Sequence, residues 1–319
     1  MKTTSIFIAL ILLFGCIKRE DNTNQETEKG LLQNQKINIS GESREYHIYV
    51  PTTPENAPIV VLLHGHSGSS DQILGLENTK APFSVWLNIA EQENIILLVP
   101  NGKIGASGHQ GWNDCREEAD GNPTTDDVAF ISNLIDTTIS SYNANPEKVF
   151  INGISNGGHM SYRLAQEIPN KLKAFAAIVA SKPVNSTCTD STTPISALIM
   201  NGTEDPLVPY NGGQVNGDRG LVFSTEETVA YWVNRNNTQT TPIITNLPNT
   251  NTTDNSTVTK YSYTNGTNNT EVVFYKITGG GHTEPSLEER YGTIYKLIVK
   301  EQNGDIEMAE KVWDFFKTK

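Results

Sequence analysis

Val149-Phe-Ile-Asn-Gly-Ile-Ser155-Asn-Gly-Gly-His-Met-Ser-Tyr-Arg-Leu-Ala165 is the stretch that decides the fold of this chain. It opens on an apolar run, passes through the turn Gly153-Ile-Ser155-Asn-Gly157, and continues in a helical pattern. Strand, sharp turn and helix in that order make a nucleophile elbow, which lifts a serine hydroxyl clear of the backbone at the end of a sheet. The glycines belong there because so tight a turn presses neighbouring groups together, and a Cβ on either flank has no room. Gly-x-Ser-x-Gly alone is a weak signal. Its place between a buried strand and a helix makes it strong.

The same texture repeats outward from the elbow. The run 59–63 is continuously apolar, as a strand buried on both faces is, and 95–99, 149–151, 176–179 and 195–200 repeat the type. Helical patterns fall between them at 85–92, 126–142, 158–167 and 225–234. This alternation predicts an α/β fold in one domain, with a mostly parallel central sheet and helices on both faces. Residues 46–50 read as an antiparallel edge strand. Between 236 and 270 more than half the residues are Asn or Thr, which reads as a surface excursion before a strand at 272–277.

The chain has 319 residues, with 24 Lys and Arg against 36 Asp and Glu, a net charge of −12. That length supports a sizeable core. The acidic balance excludes a nucleic-acid partner, since nothing here neutralises a row of phosphates. Only three cysteines are present, which excludes a zinc site built on thiolates and a dense disulfide framework.

At the N-terminus, Met1-Lys2 is followed by the apolar run IFIALILLF (6–14). That run is too short for a bilayer span, which takes about 20 residues, and suits the core of an export signal. Leu13-Phe14-Gly15-Cys16 resembles a bacterial lipobox. The expectation is a signal peptide at 1–15, a lipidated Cys16 with a polar tether over 16–34, and a catalytic domain over 35–319. The chain would then be an exported bacterial lipoprotein, held to a membrane in the periplasm or at the cell surface. In that oxidising compartment the two remaining cysteines, Cys115 and Cys188, are expected to pair.

A serine hydroxyl needs a base to become a nucleophile. In this fold the order along the chain is serine, acid, histidine, so of six histidines only His159 and His282 qualify. His159 lies four residues past Ser155 on the same helix and reads as a packing residue. His282 follows the 272–277 strand and three glycines, at the sheet edge where sites of open α/β sheets lie. His282 is read as the base. Glu204 and Asp205, in the loop after the 195–200 strand, are the candidate acids. Asp205 is preferred because Pro206 fixes the turn around it, and a buried carboxylate there would orient His282. Asp126 and Asp127 read as the capped start of a helix. The oxyanion needs two backbone donors, expected from Asn156 and His66.

Six motifs then line up: Leu63-His-Gly-His-Ser-Gly68, Trp112-Asn113, Asp126-Asp-Val128, Gly153-Ile-Ser-Asn-Gly-Gly158, Gly202-Thr-Glu-Asp-Pro-Leu-Val-Pro-Tyr210 and Gly279-Gly-Gly-His-Thr-Glu-Pro285. Their order and spacing, from about Glu45 to Phe316, resemble the polyhydroxybutyrate depolymerase/feruloyl esterase-like α/β-hydrolases. These are related to the acetylxylan and feruloyl esterases of carbohydrate esterase family one. The resemblance implies an α/β-hydrolase fold, the triad Ser155, Asp205 and His282, and hydrolysis of carboxylic esters through an acyl-enzyme without metal or organic cofactor. The expected substrate is an acetyl or feruloyl ester on a polysaccharide-derived fragment, handled by a monomer. Polyester depolymerisation, peptide hydrolysis of the prolyl-oligopeptidase type and non-catalytic glycan binding at the surface are the alternatives. The chain departs from the family's pattern at Glu284, where a tryptophan is common, and in the added stretch SLEERYGTIYKLIVKEQNG (286–304).

Overall fold

Alternation within a single strand explains why the sheet is buried on both sides. In the computed structural model, which describes residues 28–319, Ile59, Val61 and Leu63 pack on one face with Trp112, Phe130 and Leu134. Val60 and Leu62 pack on the other with Phe83, Trp86 and Phe316. A strand with no solvent face has no polar position, hence the unbroken IVVLL.

Ten strands form the sheet: β1 (Gly30–Ile39), β2 (Glu42–Val50), β3 (Ile59–Leu63), β4 (Ile96–Pro100), β5 (Val149–Ile154), β6 (Ala174–Ile178), β7 (Ser196–Gly202), β8 (Ile243–Asn246), β9 (Thr257–Tyr263) and β10 (Val272–Thr278). Their order across the sheet is β1-β2-β4-β3-β5-β6-β7-β10-β9-β8. The central strands from β4 to β10 run parallel, and the pairs at each end are antiparallel. All six parallel strands therefore end at one edge of the sheet, and the loops that leave it converge there.

Helices α1 (Val85–Glu93) and α6 (Met308–Phe316) cover one face, and Phe316 stacks on Phe150 at 4.7 Å between ring centroids. The opposite face carries α2 (Asp127–Tyr142), α3 (Asn156–Glu167) and α4 (Thr225–Asn236), with Tyr162, Phe175 and Trp232 packed together under them. Asp126 caps α2 by accepting from the Ala129 N–H at 2.9 Å. Asp127 instead turns inward to a buried ion pair with Arg44 at 2.7 Å.

Three expectations need correction. Residues 46–50 do not form the edge, because β1 pairs outside β2 and takes in residues 30–34, which the sequence reading assigned to the tether. That strand is half solvated and carries a register shift between Leu32 and Gln35, so its alternation is faint. The Asn- and Thr-rich stretch is not merely an excursion. It supplies β8 and β9, which extend the sheet because Thr and Tyr are good strand formers on a half-exposed surface. The added stretch 286–304 holds a short helix, α5 (Thr293–Val299), that turns Ile294 and Leu297 outward at 82% and 77% exposure. Signal peptide, Cys16 and most of the tether lie outside the described residues. Among the described residues no helix is long and apolar enough to cross a membrane.

Candidate active site

Ser155 sits between β5 and α3 with φ 54° and ψ −118°, a backbone conformation that L-residues rarely adopt. Such strain persists only where the surroundings impose it. Here they do so at the flanking glycines. A Cβ on Gly157 would overlap the carbonyls of Leu63 and His64, and one on Gly153 would overlap the Gly157 carbonyl. The close approach also fastens the elbow to the loop after β3.

Asp205 lies three residues past the end of β7, and His282 four past the end of β10. His282 Nδ1 donates to Asp205 Oδ2 at 2.7 Å, and the other carboxylate oxygen accepts the N–H groups of Leu207 and Val208, each at 2.8 Å. The Asp205 side chain is 2% exposed and His282 8%. Pro206 removes a competing donor and turns the chain so that the next two N–H groups face the carboxylate. Glu204 points to solvent, and its backbone N–H bonds the Gly280 carbonyl. Among the described residues the Ser155 hydroxyl makes no hydrogen bond to His282. Serine–histidine contacts of this kind are often loose without substrate and tighten in the reacting complex.

His159 is buried against the elbow. Its Nδ1 donates to the Ser155 carbonyl at 2.9 Å, and burial, reinforced by the Arg116 charge, pushes its pKa down to about 3. A neutral, enclosed imidazole of this kind packs the elbow and does not shuttle protons.

The oxyanion loop is pinned by another buried histidine. His64 Nδ1 donates to the Gly65 carbonyl at 2.8 Å, while Nε2 accepts the Gly102 N–H at 3.0 Å. The indole N–H of Trp112 bonds the His64 carbonyl at 2.8 Å. This leaves the His66 N–H without an acceptor among the described residues. Asn156, as the first residue of α3, has none within its helix. Two backbone donors are thus unspent beside Ser155, as stabilisation of a developing oxyanion requires.

One cluster was not legible beforehand. The Asn156 side chain accepts the Trp112 N–H at 2.7 Å, donates to the Trp112 carbonyl at 3.1 Å, and donates to Asp114 at 2.6 Å. Asp114 in turn pairs with Arg116 at 2.7 Å, both side chains being essentially buried. Burial opposes the Asp114 charge, but the Arg116 guanidinium outweighs it and keeps the carboxyl below its ordinary pKa. Cys115, between them, is disulfide-bonded to Cys188. The residue after the nucleophile is therefore clamped to a cross-linked loop. The sequence signal was the asparagine within the elbow, a residue that hydrogen-bonds on both sides. Glu284 is also buried, accepts the Tyr291 hydroxyl at 2.9 Å, and has its pKa pushed up to about 6 by burial.

A serine in a strained turn, an imidazole with a carboxylate behind it and two free backbone donors can carry out acyl transfer to water. Comparison with known proteins points the same way. The model of the prolyl oligopeptidase family matches residues 82–211, a span that includes the elbow and the acid loop. The bifunctional acetylxylan esterase/xylanase XynS20E of Neocallimastix patriciarum is 28% identical over 208 residues, 63% of this chain and 28% of that protein. A protein of Aspergillus niger named "Probable feruloyl esterase C" is 29% identical over 217 residues, 66% of this chain and 73% of the relative. The chain thus spans between 28% and 73% of the length of these two relatives. Among solved structures, the acetyl xylan esterase from Aspergillus awamori superposes with a TM-score of 0.52 at 20% identity, over 84% of this chain and 98% of that one. The fold is shared.

Proposed function

We propose that this chain, which has the α/β-hydrolase fold and is similar to proteins named as esterases, is a serine carboxylic ester hydrolase removing acetyl or feruloyl groups from polysaccharide-derived fragments. The observation that carries the reading is the buried His282–Asp205 hydrogen bond at the same sheet edge as an elbow serine. Ser155 Oγ attacks the ester carbonyl while His282 Nε2 takes its proton. The carbonyl electrons move onto the oxygen, held by the Asn156 and His66 N–H groups. Collapse expels the alcohol, which receives the proton from His282. Water then attacks the acyl-enzyme with the same base, and the acid leaves. Asp205 holds the imidazole tautomer and stabilises the imidazolium in both halves. The names of the relatives support acetyl and feruloyl groups on plant-type polysaccharide.

The proposal includes export and a lipid anchor on Cys16. The Cys115–Cys188 disulfide supports export, since such bonds are rare in reducing compartments. Gly30, where the first strand begins, pairs with Val50 at the sheet edge opposite Ser155. Replacement of Cys16 by Ser should release the protein from the membrane fraction; unchanged membrane association would remove the anchor from the account.

The prolyl-oligopeptidase match favours peptide hydrolysis as a second reading. The test compares kcat/KM on acetylated and feruloylated oligosaccharides, soluble hydroxybutyrate oligomers and a prolyl-peptide anilide. The oligosaccharide esters should be turned over best. A higher value on hydroxybutyrate would restore the depolymerase, and one on the anilide the peptidase. Glycan binding without hydrolysis of any of these would leave a binding protein.

A further inference from the structure

The net charge of −12 predicts indifference or mild aversion to anionic substrates, but two guanidinium groups, Arg116 and Arg219, stand beside the loop that carries the oxyanion donor His66. Three loops meet beside the oxyanion donors: the one carrying His66, the one carrying Asp114 and Arg116, and the hairpin around Gly213–Val222 that follows the acid. Arg219 projects from that hairpin. Its backbone carbonyl takes the Arg116 NH1 at 2.8 Å, which seats the hairpin against the clamp. A Cβ on Gly220 would press on Arg116, so the approach of the two segments is close.

At this rim one guanidinium is left without an ion-pair partner among the described residues. Asp114 is consumed by Arg116 and Asn156. Glu118 accepts from the Asn185 side chain and keeps its charge beside Gly220, but forms no ion pair with Arg219. The Arg219 guanidinium donates only to the Asn216 carbonyl, at 2.7 Å, and among the described residues it has no carboxylate partner. It is half-buried, and its ordinary pKa is lowered by burial and by the Arg116 charge. The His66 ring registers the same field: after burial, the Arg219 charge is the strongest influence driving its pKa down to about 4. A half-desolvated guanidinium with its terminal nitrogens unspent, next to the N–H that receives the oxyanion, is a receptor for a carboxylate.

We propose that Arg219 forms a carboxylate-binding subsite beside the oxyanion hole, so that esters on acidic sugars are preferred over the same esters on neutral sugars. The proposal rests on the esterase reading and adds its substrate class: a uronate-containing oligosaccharide whose carboxylate lies within reach of the scissile acyl group. An acetyl group has no charge of its own, which places the anion on the alcohol side of the ester. Arginine suits that role because its planar fork engages both carboxylate oxygens.

The experiment measures kcat/KM of the full chain on acetylated hexuronate oligomers and on acetylated hexose oligomers of equal length. The ratio should favour the uronate by about tenfold, the order expected of one charge-assisted contact. In Arg219→Gln that ratio should fall toward one, and Arg219→Lys should retain part of it, since the charge remains but the fork is lost. The contact with Arg116 uses the backbone carbonyl of Arg219 and survives either substitution. Added salt should lower the ratio in the unsubstituted protein through screening, a check that needs no variant. A ratio of one or below, or a ratio unmoved by Arg219→Gln, overturns the subsite while hydrolysis of both esters leaves the esterase reading intact. Failure to hydrolyse either ester overturns both.

Discussion

Two carboxylates approach Ser155 from opposite loops, and they are held in different company. Asp205, after β7, binds two backbone N–H groups and the His282 imidazole, with no guanidinium among its partners. Asp114, between β4 and α2, is locked to Arg116, Asn156 and Asn122. In the proposed reaction the first has a partner that becomes charged only during turnover, so its negative charge would have to remain available for the imidazolium. The second has its charge neutralised permanently, and what remains for it is geometry. Losing Asp205 should therefore cost rate, and losing Asp114 should cost mainly stability.

The largest effects belong to the proton path. His282→Ala should lower kcat by roughly 10⁵-fold and Asp205→Asn by about 10⁴-fold, with melting temperatures near that of the unsubstituted protein. His159→Ala should cost less than about tenfold, because that ring only packs the elbow. A dead His159→Ala beside an active His282→Ala would reverse the assignment.

Asp114→Asn should show the converse pattern. Arg116 would be left as a buried charge without a counter-ion, which costs about 3–5 kcal/mol and shows as a fall in melting temperature on the order of 10 °C. With Asn156 held by Trp112 alone, kcat should fall by about tenfold and KM hardly at all, since donors aimed at an oxyanion act in the transition state. A variant of normal stability with a rate as low as Asp205→Asn would place Asp114 in the proton chemistry and collapse the distinction.

Joint replacement of Cys115 and Cys188 by Ser tests how far the clamp leans on the cross-link, which joins residues 73 apart in sequence. Stability should drop by about 2–4 kcal/mol, read by thermal melts with and without reductant. A reductant-insensitive melt of the unsubstituted protein would show that the clamp holds without the bond.

Glu284 gives the smallest effect and a pH signature. Its pKa is raised from 4.5 to about 6 by burial, so the folded state holds the proton more tightly than the unfolded state does. Its contribution to stability is complete below about pH 4.5 and is lost as the pH rises through about 6, a change of about 2 kcal/mol. Glu284→Gln should remove that decline from the stability profile. An identical pH dependence in the variant would mean that the carboxyl does not titrate in this window.

The same contrast explains what could be read from the residues alone. The elbow was legible because sterics leave only glycine at 153 and 157, and the His282–Asp205 pair because few side chains in that chain order could form it. The Asp114 clamp was not, since its partners include Asn156, 42 residues away in sequence, and an aspartate in a loop looks like any solvated one. Strands β3 to β7 announced themselves by unbroken apolar runs. Strands β1, β8 and β9 did not, because a half-solvated strand at a sheet margin needs only scattered apolar residues, and Thr and Asn fill the rest. Arg219 was hidden for a further reason: whether an arginine is paired depends on which loops meet, and no local pattern records that.

The central claim is that Ser155 carries an acyl group between two half-reactions, and rapid mixing with 4-nitrophenyl acetate tests it most directly. The account predicts a burst of nitrophenolate equal to the enzyme concentration, with one acetyl group found by mass spectrometry on the peptide containing Ser155, and neither in Ser155→Ala. A burst that persists in Ser155→Ala, or an acetyl group trapped on another residue, would contradict it.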